Sequence, residues 1–260
     1  MGKLEGKVAA ITGGTRSIGR AMAEAYLREG AKVVINGRDE AKGQQAVAEM
    51  GGGPNVVFYG GDASKQSTAE GIVDFAVEKF GKLDIMCLNS GGVVHTAPVH
   101  MMSDEEWLFE MDWNLNSVFW GMRKSLQHML PRNSGRIIVT SSVEGKGGKP
   151  GIPGYNATKH GVLGLVKAAA KETGTTGVTV NAILPGLIET DIVRATGPES
   201  AKMMGLDSYD ALIDLFAQES AIKKVNTVEQ VAAVALMFAT DAAKNFTGCM
   251  FSVDGGSLPY

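Results

Sequence analysis

Short runs of wholly apolar, often β-branched residues recur along the chain, and each is followed by a longer stretch in which apolar positions return every three or four residues. The runs occupy residues 8–12, 32–35, 56–59, 85–88, 136–140, 179–183 and 249–253. A strand buried on one face alternates apolar and polar positions, whereas a run that is apolar throughout predicts a strand covered on both faces, as in a parallel sheet. The stretches between them predict helices at 18–28, 40–50, 67–80, 104–130, 153–173 and 227–239. In the first helix Ile18, Met22, Ala25 and Tyr26 form one stripe, the face expected to pack on the sheet. Gly30 stands where a helix would end and lead into the second strand. This alternation predicts an α/β fold, a single doubly wound and mostly parallel seven-stranded sheet with helices on both faces. No repeat or linker interrupts it, and we read residues 1–260 as one domain.

The rhythm breaks once, over residues 187–226. That segment is rich in Met, Asp and Ser and weakly periodic. A long excursion of this kind inside a regular domain is commonly functional; it predicts one or two short helices acting as a substrate lid.

Composition narrows the picture. The chain has 260 residues, 34 of them glycine, with a formal net charge of -3. No basic block offers electrostatic support for nucleic-acid binding. No apolar stretch approaches membrane-spanning length, and the first residues lack the apolar core of a secretion signal. Cys87 and Cys249 lie in separate strand-like runs, the usage of reduced side chains in a cytoplasmic protein. His95, His100, His128 and His160 show no metal-ligand spacing, so no metal site is expected.

The chemistry concentrates in Ser142…Tyr155-Asn156-Ala157-Thr158-Lys159. If 155–159 is helical, Tyr155 and Lys159 share one face, a turn apart. A phenol titrates near pH 10, too high for proton exchange at neutrality. A neighbouring ammonium favours the phenolate, and lowering the phenol by about three units takes roughly 4 kcal/mol. Ser142 supplies a hydroxyl that can hold a carbonyl or alcohol oxygen beside that phenol. The combination suits proton transfer to and from an alcohol.

A second feature follows the first strand: Thr12-Gly13-Gly14-Thr15-Arg16-Ser17-Ile18-Gly19, with a helix directly after it. A glycine-rich strand-to-helix turn lets backbone N–H groups meet a pyrophosphate. Here the chain resembles the short-chain dehydrogenase/reductase family. Thr12, Gly13 and Gly19 match that family's T-G-x-x-x-G-x-G, with Ser17 in place of the middle glycine and its hydroxyl available to a phosphate. Asn89-Ser90-Gly91-Gly92 is similar to the family's N-N-A-G, with Ser and Gly at the second and third places. Asn114 matches the active-site asparagine, and Ser142, Tyr155 and Lys159 match the catalytic residues. Pro185 and Gly186, with Ile188 and Thr190, resemble the segment that clasps the nicotinamide carboxamide. Asp62, followed by Ala63, resembles the acid that contacts adenine. The resemblance implies that Gly13, Thr15, Arg16, Ser17, Ile18, Gly19, Arg38, Asp62, Ala63, Asn89, Gly91, Tyr155, Lys159, Pro185, Gly186, Ile188 and Thr190 bind the cofactor. It also implies that Lys159 holds the nicotinamide ribose, that Asn114 positions a water linking Lys159 to solvent, and that the chain forms a homotetramer.

The second strand ends in Ile35-Asn36-Gly37-Arg38-Asp39. Gly37 stands where an NAD-preferring relative would carry Asp to bind the ribose hydroxyls and repel a 2′-phosphate. Arg38 follows it and Arg16 lies in the glycine turn, and two guanidiniums suit a phosphate. Asp39 and Glu40 are the competing partners for Arg38. The expected cofactor is NADP(H), with NAD the alternative. The expected activity is hydride transfer between NADP(H) and a small-molecule secondary alcohol or ketone. The alternatives are a 3-oxoacyl-carrier-protein or acyl-CoA reductase, an NAD(H)-dependent alcohol dehydrogenase, or a non-catalytic dinucleotide sensor. The absence of a G-x-S-x-G elbow weighs against an α/β-hydrolase.

Overall fold

The computed structural model describes residues 2–258. Seven strands, β1 (Val8–Ile11), β2 (Lys32–Gly37), β3 (Val56–Gly60), β4 (Ile85–Leu88), β5 (Gly135–Thr140), β6 (Val178–Pro185) and β7 (Met250–Val253), form one sheet in the order β3-β2-β1-β4-β5-β6-β7. Every pairing is parallel. This is a Rossmann-type doubly wound sheet.

The continuous apolar runs are explained by what lies on each side. Successive residues of a strand point to opposite faces. Ala9, Ile11, Val33, Ile35, Ile138 and Ile183 join a core beneath α1 (Ser17–Arg28), α2 (Glu40–Glu49) and α9 (Val228–Ala239), where Met22, Tyr26, Val231 and Phe238 are buried. Their neighbours Val8, Ala10, Val34, Ile137, Val139 and Ala182 face a second core. That core lies beneath α3 (Gln66–Phe80), α5 (Ser117–Met129) and α6 (Pro153–Glu172), with Ile72, Met122, Val162 and Val166 buried. Neither face of the inner strands meets water, so neither needs polar positions.

The stretch predicted as one helix at 104–130 is interrupted. It forms α4 (Asp104–Met111), a π-helical turn (Asp112–Asn116) and then α5. Ser103 and Glu106 cap α4 reciprocally, and the wide turn carries Asn114. The irregular segment 187–226 contains two helices, α7 (Asp191–Met203) and α8 (Tyr209–Glu219). Thr190 and Ser208 start them by accepting the backbone N–H of Val193 and Ala211, a cap chemistry that locates helix starts where periodicity is weak. Among the described residues no helix is long and apolar enough to cross a membrane.

Candidate active site

Connections leave β1 and β4 toward opposite edges of the sheet, and a crevice opens at the carboxyl ends of the strands where this reversal occurs. Side-chain bonds lace the strand ends together there. The Thr12 hydroxyl accepts the backbone N–H of Asn89 (2.9 Å) and Ser90 (3.0 Å). Asn89 Nδ2 donates to the Thr12 carbonyl (3.2 Å), and its Oδ1 accepts from the Thr140 hydroxyl (3.0 Å).

The glycine turn crosses this point. Gly13 has φ +65°. Ser17 has φ +49°, so the place of the middle glycine keeps a left-handed backbone despite carrying a side chain, at a cost of about 1–2 kcal/mol. Its hydroxyl does not stand free for a phosphate: it donates to Asp191 Oδ2 (3.2 Å) at the start of α7. A methyl at Gly19 would fall on the Gly13 carbonyl oxygen, so the glycine lets α1 begin directly against the turn. Ile18 is partly buried on the core below. The residue preceding α1, Arg16, offers no side-chain acceptor to the first turn, whose N–H groups and dipole therefore suit an anion. These residues fit a dinucleotide pyrophosphate.

Arg16, in the glycine turn, and Arg38, just after β2, are both exposed, and neither forms an ion pair among the described residues. The competing acids are engaged elsewhere: Asp39 caps α2 through Lys42 N, and Glu40 Oε1 accepts from Gln44. A Cβ at Gly37 would lie 2.8 Å from Thr15 Cγ2. An acid at that place would therefore displace Thr15. Asp62 Oδ1 accepts the Ser64 N–H (3.0 Å), a local turn beside the crevice, and the Ala63 side chain is buried.

Tyr155 and Lys159 lie one turn apart on α6, which begins at Pro153. Lys159 Nζ donates to the Thr140 carbonyl (3.2 Å) and stands 5.3 Å from the centre of the Tyr155 ring. Ser142 follows β5, and its oxygen accepts the Glu144 N–H (3.1 Å), leaving its own proton to donate. Ser142 and Tyr155 line a common cavity of about 180 Å³, with Val93, Ile152, Leu187 and Phe216 among its apolar walls and Lys149 and Lys224 among its polar ones. Lys149 Nζ lies over the Phe216 ring at 4.1 Å.

The proton energetics correct the expectation that Lys159 lowers the phenol. Burial pushes Tyr155 up to about 12; the Ser142 hydroxyl works in the lowering direction, while Glu144 and Glu110 push it further up. Burial lowers the Lys159 ammonium to about 8, and Glu110 opposes that shift. In both groups desolvation is the largest influence. At neutral pH the protein's own groups thus leave Tyr155 a protonated phenol and Lys159 predominantly an ammonium.

Asn114 is fully buried, and its carboxamide bonds the 91–92 loop and the Glu110 side chain rather than the backbone of its own helix. Oδ1 accepts the Gly92 N–H (2.8 Å), and Nδ2 donates to the Gly92 carbonyl (3.0 Å) and to Glu110 Oε2 (2.6 Å). Gly91, at φ +146°, brings the loop against both groups: a Cβ there would lie 2.6 Å from Asn114 Oδ1 and 3.3 Å from Lys159 Nζ. Glu110 is the residue that pattern reading missed. Its one signal is an acid a turn before Asn114 in an otherwise amphipathic stretch.

Pro185 ends β6, and the Gly186 N–H continues the ladder to Val253. A Cβ at Gly186 would lie 2.9 Å from Asp254 Cβ, so the glycine permits that approach. The Ile188 side chain is buried in the core, its backbone pairs with Asn226 and its carbonyl accepts the Thr190 N–H, while the Thr190 hydroxyl caps α7. No cluster of three or more metal-ligating side chains occurs among the described residues.

Residues 7–201 match the family model described as short chain dehydrogenase. The chain is 36% identical to a 3beta-hydroxysteroid dehydrogenase of Mediterraneibacter gnavus, covering 100% of this chain and 98% of the relative. It is 33% identical to a D-beta-hydroxybutyrate dehydrogenase of Cupriavidus necator, covering 97% and 98%. It is also 33% identical to a 3-oxoacyl-acyl-carrier-protein reductase of Escherichia coli, covering 97% of each. A family match over most of the chain, joined to relatives aligned nearly end to end, shows that this chain belongs to the short chain dehydrogenase family, nicotinamide-dependent oxidoreductases acting on CH–OH and C=O groups.

Proposed function

We propose that this protein interconverts a secondary alcohol and a ketone with NADP(H), using Tyr155 as proton donor and acceptor. The observation that carries the reading is the sharing of one cavity wall by Ser142 and Tyr155, with the Lys159 ammonium behind the phenol at the carboxyl end of the sheet. When bound, the nicotinamide supplies and receives hydride. The residues proposed to hold the dinucleotide are those of the glycine turn, Arg16, Arg38, Asp62, Asn89, Gly91 and the 185–190 segment, together with Tyr155 and Lys159.

In reduction, Tyr155 enters as the neutral phenol that its burial favours and gives its proton to the carbonyl oxygen. Ser142 donates a hydrogen bond to that oxygen as charge develops on it. Lys159 stabilises the phenolate left behind and is the route by which the proton is replaced, with Asn114 beyond it. Oxidation runs these steps in reverse. The preference for NADP(H) is supported by the guanidiniums of Arg16 in the glycine turn and Arg38 after β2, neither ion-paired among the described residues, and by the glycine that stands where an acid would repel the 2′-phosphate. The substrates named for the relatives differ, so the reading stops at the alcohol–ketone pair. Segment 187–226 serves as the lid, since Leu187, Phe216 and Lys224 wall the cavity. Exposed Leu108 and Phe119 on α4 and α5 support self-association into a tetramer.

The test is turnover over a panel of ketones, 3-oxo esters and hydroxysteroids with both cofactors. Tyr155→Phe should retain dinucleotide affinity and lose about three or more orders of magnitude in turnover. A near-normal rate in that variant would remove Tyr155 from the mechanism, and binding of NADPH without turnover of any panel member would favour a dinucleotide sensor.

A further inference from the structure

One charged side chain in the crevice has no part in the steps above. Glu110 is completely buried. Oε1 accepts the backbone N–H groups of Val94 (3.1 Å) and His95 (3.2 Å), and Oε2 accepts from Asn114 Nδ2 (2.6 Å). All three partners donate, the pattern that satisfies an ionised carboxylate. Its methylenes lie against Gly154, the residue before Tyr155: a Cβ there would be 3.1 Å from both Glu110 Cβ and Cγ. The close approach of α4 to α6 therefore brings this carboxylate up to the turn that carries the phenol.

Two consequences follow. The amide side of the Asn114 carboxamide faces a carboxylate, so a flip would set two oxygens against each other. Asn114 is thereby held with Oδ1 on Gly92 N, and the loop that walls the cavity through Val93 is held with it. The second consequence is electrostatic. Glu110 acts on both members of the Tyr155–Lys159 pair, whereas Glu144 acts on Tyr155. Other titratable groups facing this cluster are His95, whose Nδ1 is 3.8 Å from Glu110 Oε1, Lys149, Glu219 and His160, which act on Glu144, and Lys224 in the cavity wall.

Building on the alcohol–ketone reading, we propose that Glu110 is a positioning residue for the reaction: its carboxylate locks the Asn114 carboxamide and the 92–95 loop beside Tyr155 and Lys159, and its charge biases that pair toward keeping its proton. The alternative is a carboxylate that merely ties a loop to a helix. The two differ in what happens when the charge is removed and the shape is kept.

The experiment compares wild type, Glu110→Gln and Glu110→Asp in two readouts. The first uses the protein without cofactor or substrate: the pH titration of the Lys159 side-chain carbon resonance in lysine-labelled protein, assigned with Lys159→Met. The wild-type midpoint is expected at about 8, where burial lowers the ammonium. Removing a nearby negative charge makes proton loss easier, so Glu110→Gln should move the midpoint down by about one pH unit. Glu110→Asp, which keeps the charge, should stay within about 0.3 unit of wild type. The second readout is the pH dependence of kcat for oxidation of the fastest alcohol of the panel with NADP. Its rising limb should move toward acid in Glu110→Gln and hold its place in Glu110→Asp, with kcat at the plateau reduced about tenfold or more in the Gln variant as Asn114 loses its anchor. Midpoint and limb both unmoved in Glu110→Gln would overturn the proposal and leave a structural carboxylate. If Glu110→Gln does not fold, Glu110→Met removes the charge at nearly the same side-chain length: a Lys159 midpoint moved down from wild type upholds the proposal, and an unmoved midpoint overturns it. Failure of the alcohol–ketone reading shows separately, as NADPH binding by the wild type without turnover of any panel member, while the titration stands apart from any activity.

Discussion

Gly19→Ala sets two opposing magnitudes against each other beneath the dinucleotide turn, so the sign of its effect is informative. Within a helix alanine is favoured over glycine by about 1 kcal/mol. On that account alone the variant would gain stability, with a Tm higher by about 2–4 °C for a chain of this size. Gly19 lies in the first turn of α1, however, and the new methyl would fall on the Gly13 carbonyl oxygen and 2.8 Å from Asn89 Nδ2. The carbonyl is backbone, and the Asn89 amide is fixed on the Thr12 carbonyl at 3.2 Å. No flexible side-chain end is available to yield, so α1 must lift from the turn. Overpacking of this kind costs about 1–3 kcal/mol, and losing the Asn89–Thr12 bond adds about 1 kcal/mol. The net expectation is a destabilisation of about 1–3 kcal/mol, or a Tm lower by about 3–9 °C. The same displacement spreads the N–H groups proposed to hold the pyrophosphate, so NADPH affinity should fall about tenfold or more. Urea and thermal unfolding followed by circular dichroism measure the first effect, and quenching of protein fluorescence by NADPH measures the second. A variant at least as stable as wild type with unchanged NADPH affinity would refute the reasoning, because helix propensity would then have prevailed over contact.

Three further outcomes are expected. Asp84, at the start of β4, accepts from Val8 N (2.9 Å), Lys82 Nζ (2.9 Å) and Arg132 Nη2 (2.8 Å); burial pushes its carboxyl up, but those three donors outweigh it and hold it below the usual value. Stability from a depressed carboxyl is present above its unfolded value and lost as pH falls through the folded one, so Asp84→Asn should cost about 2–4 kcal/mol at pH 7 and flatten the acid limb of the unfolding curve; parallel limbs would contradict this. Burial holds the Lys159 ammonium at about 8 against an ordinary 10.5, so its cost to stability is complete below pH 8 and is relieved as pH rises toward 10.5; Lys159→Met should gain about 1–2 kcal/mol at pH 7, lose that alkaline rise, and lose turnover. Arg38→Ala should raise KM for NADPH about tenfold or more and leave that for NADH within about twofold; equal losses would show that no ribose phosphate is read there.

The sheet was legible because its strands are buried on both faces. Val8-Ala9-Ala10-Ile11 and Ile137-Ile138-Val139 are apolar at consecutive positions, which only a strand sandwiched between two helical layers requires, and the helical stripes supply those layers. The spacing of Tyr155 and Lys159 likewise determined that both would share a face of α6, and the glycines after β1 marked the turn to α1. Pattern could not show the break at Asp112–Asn116, because a π-helical turn preserves the apolar stripe on either side while redirecting one side chain. It could not show Glu110 either: whether an acid in an amphipathic helix meets water or Asn114 depends on how closely α6 approaches, and that is set by Gly154 some forty residues away. The sign of the Tyr155 shift was decided in the same way. Neighbouring charges can be read from spacing, but desolvation depends on everything packed around a group, and here it is the largest influence and sets the direction of the shift. Local order therefore followed from local pattern, whereas the protonation states at the site were decided by burial, which belongs to the tertiary structure alone.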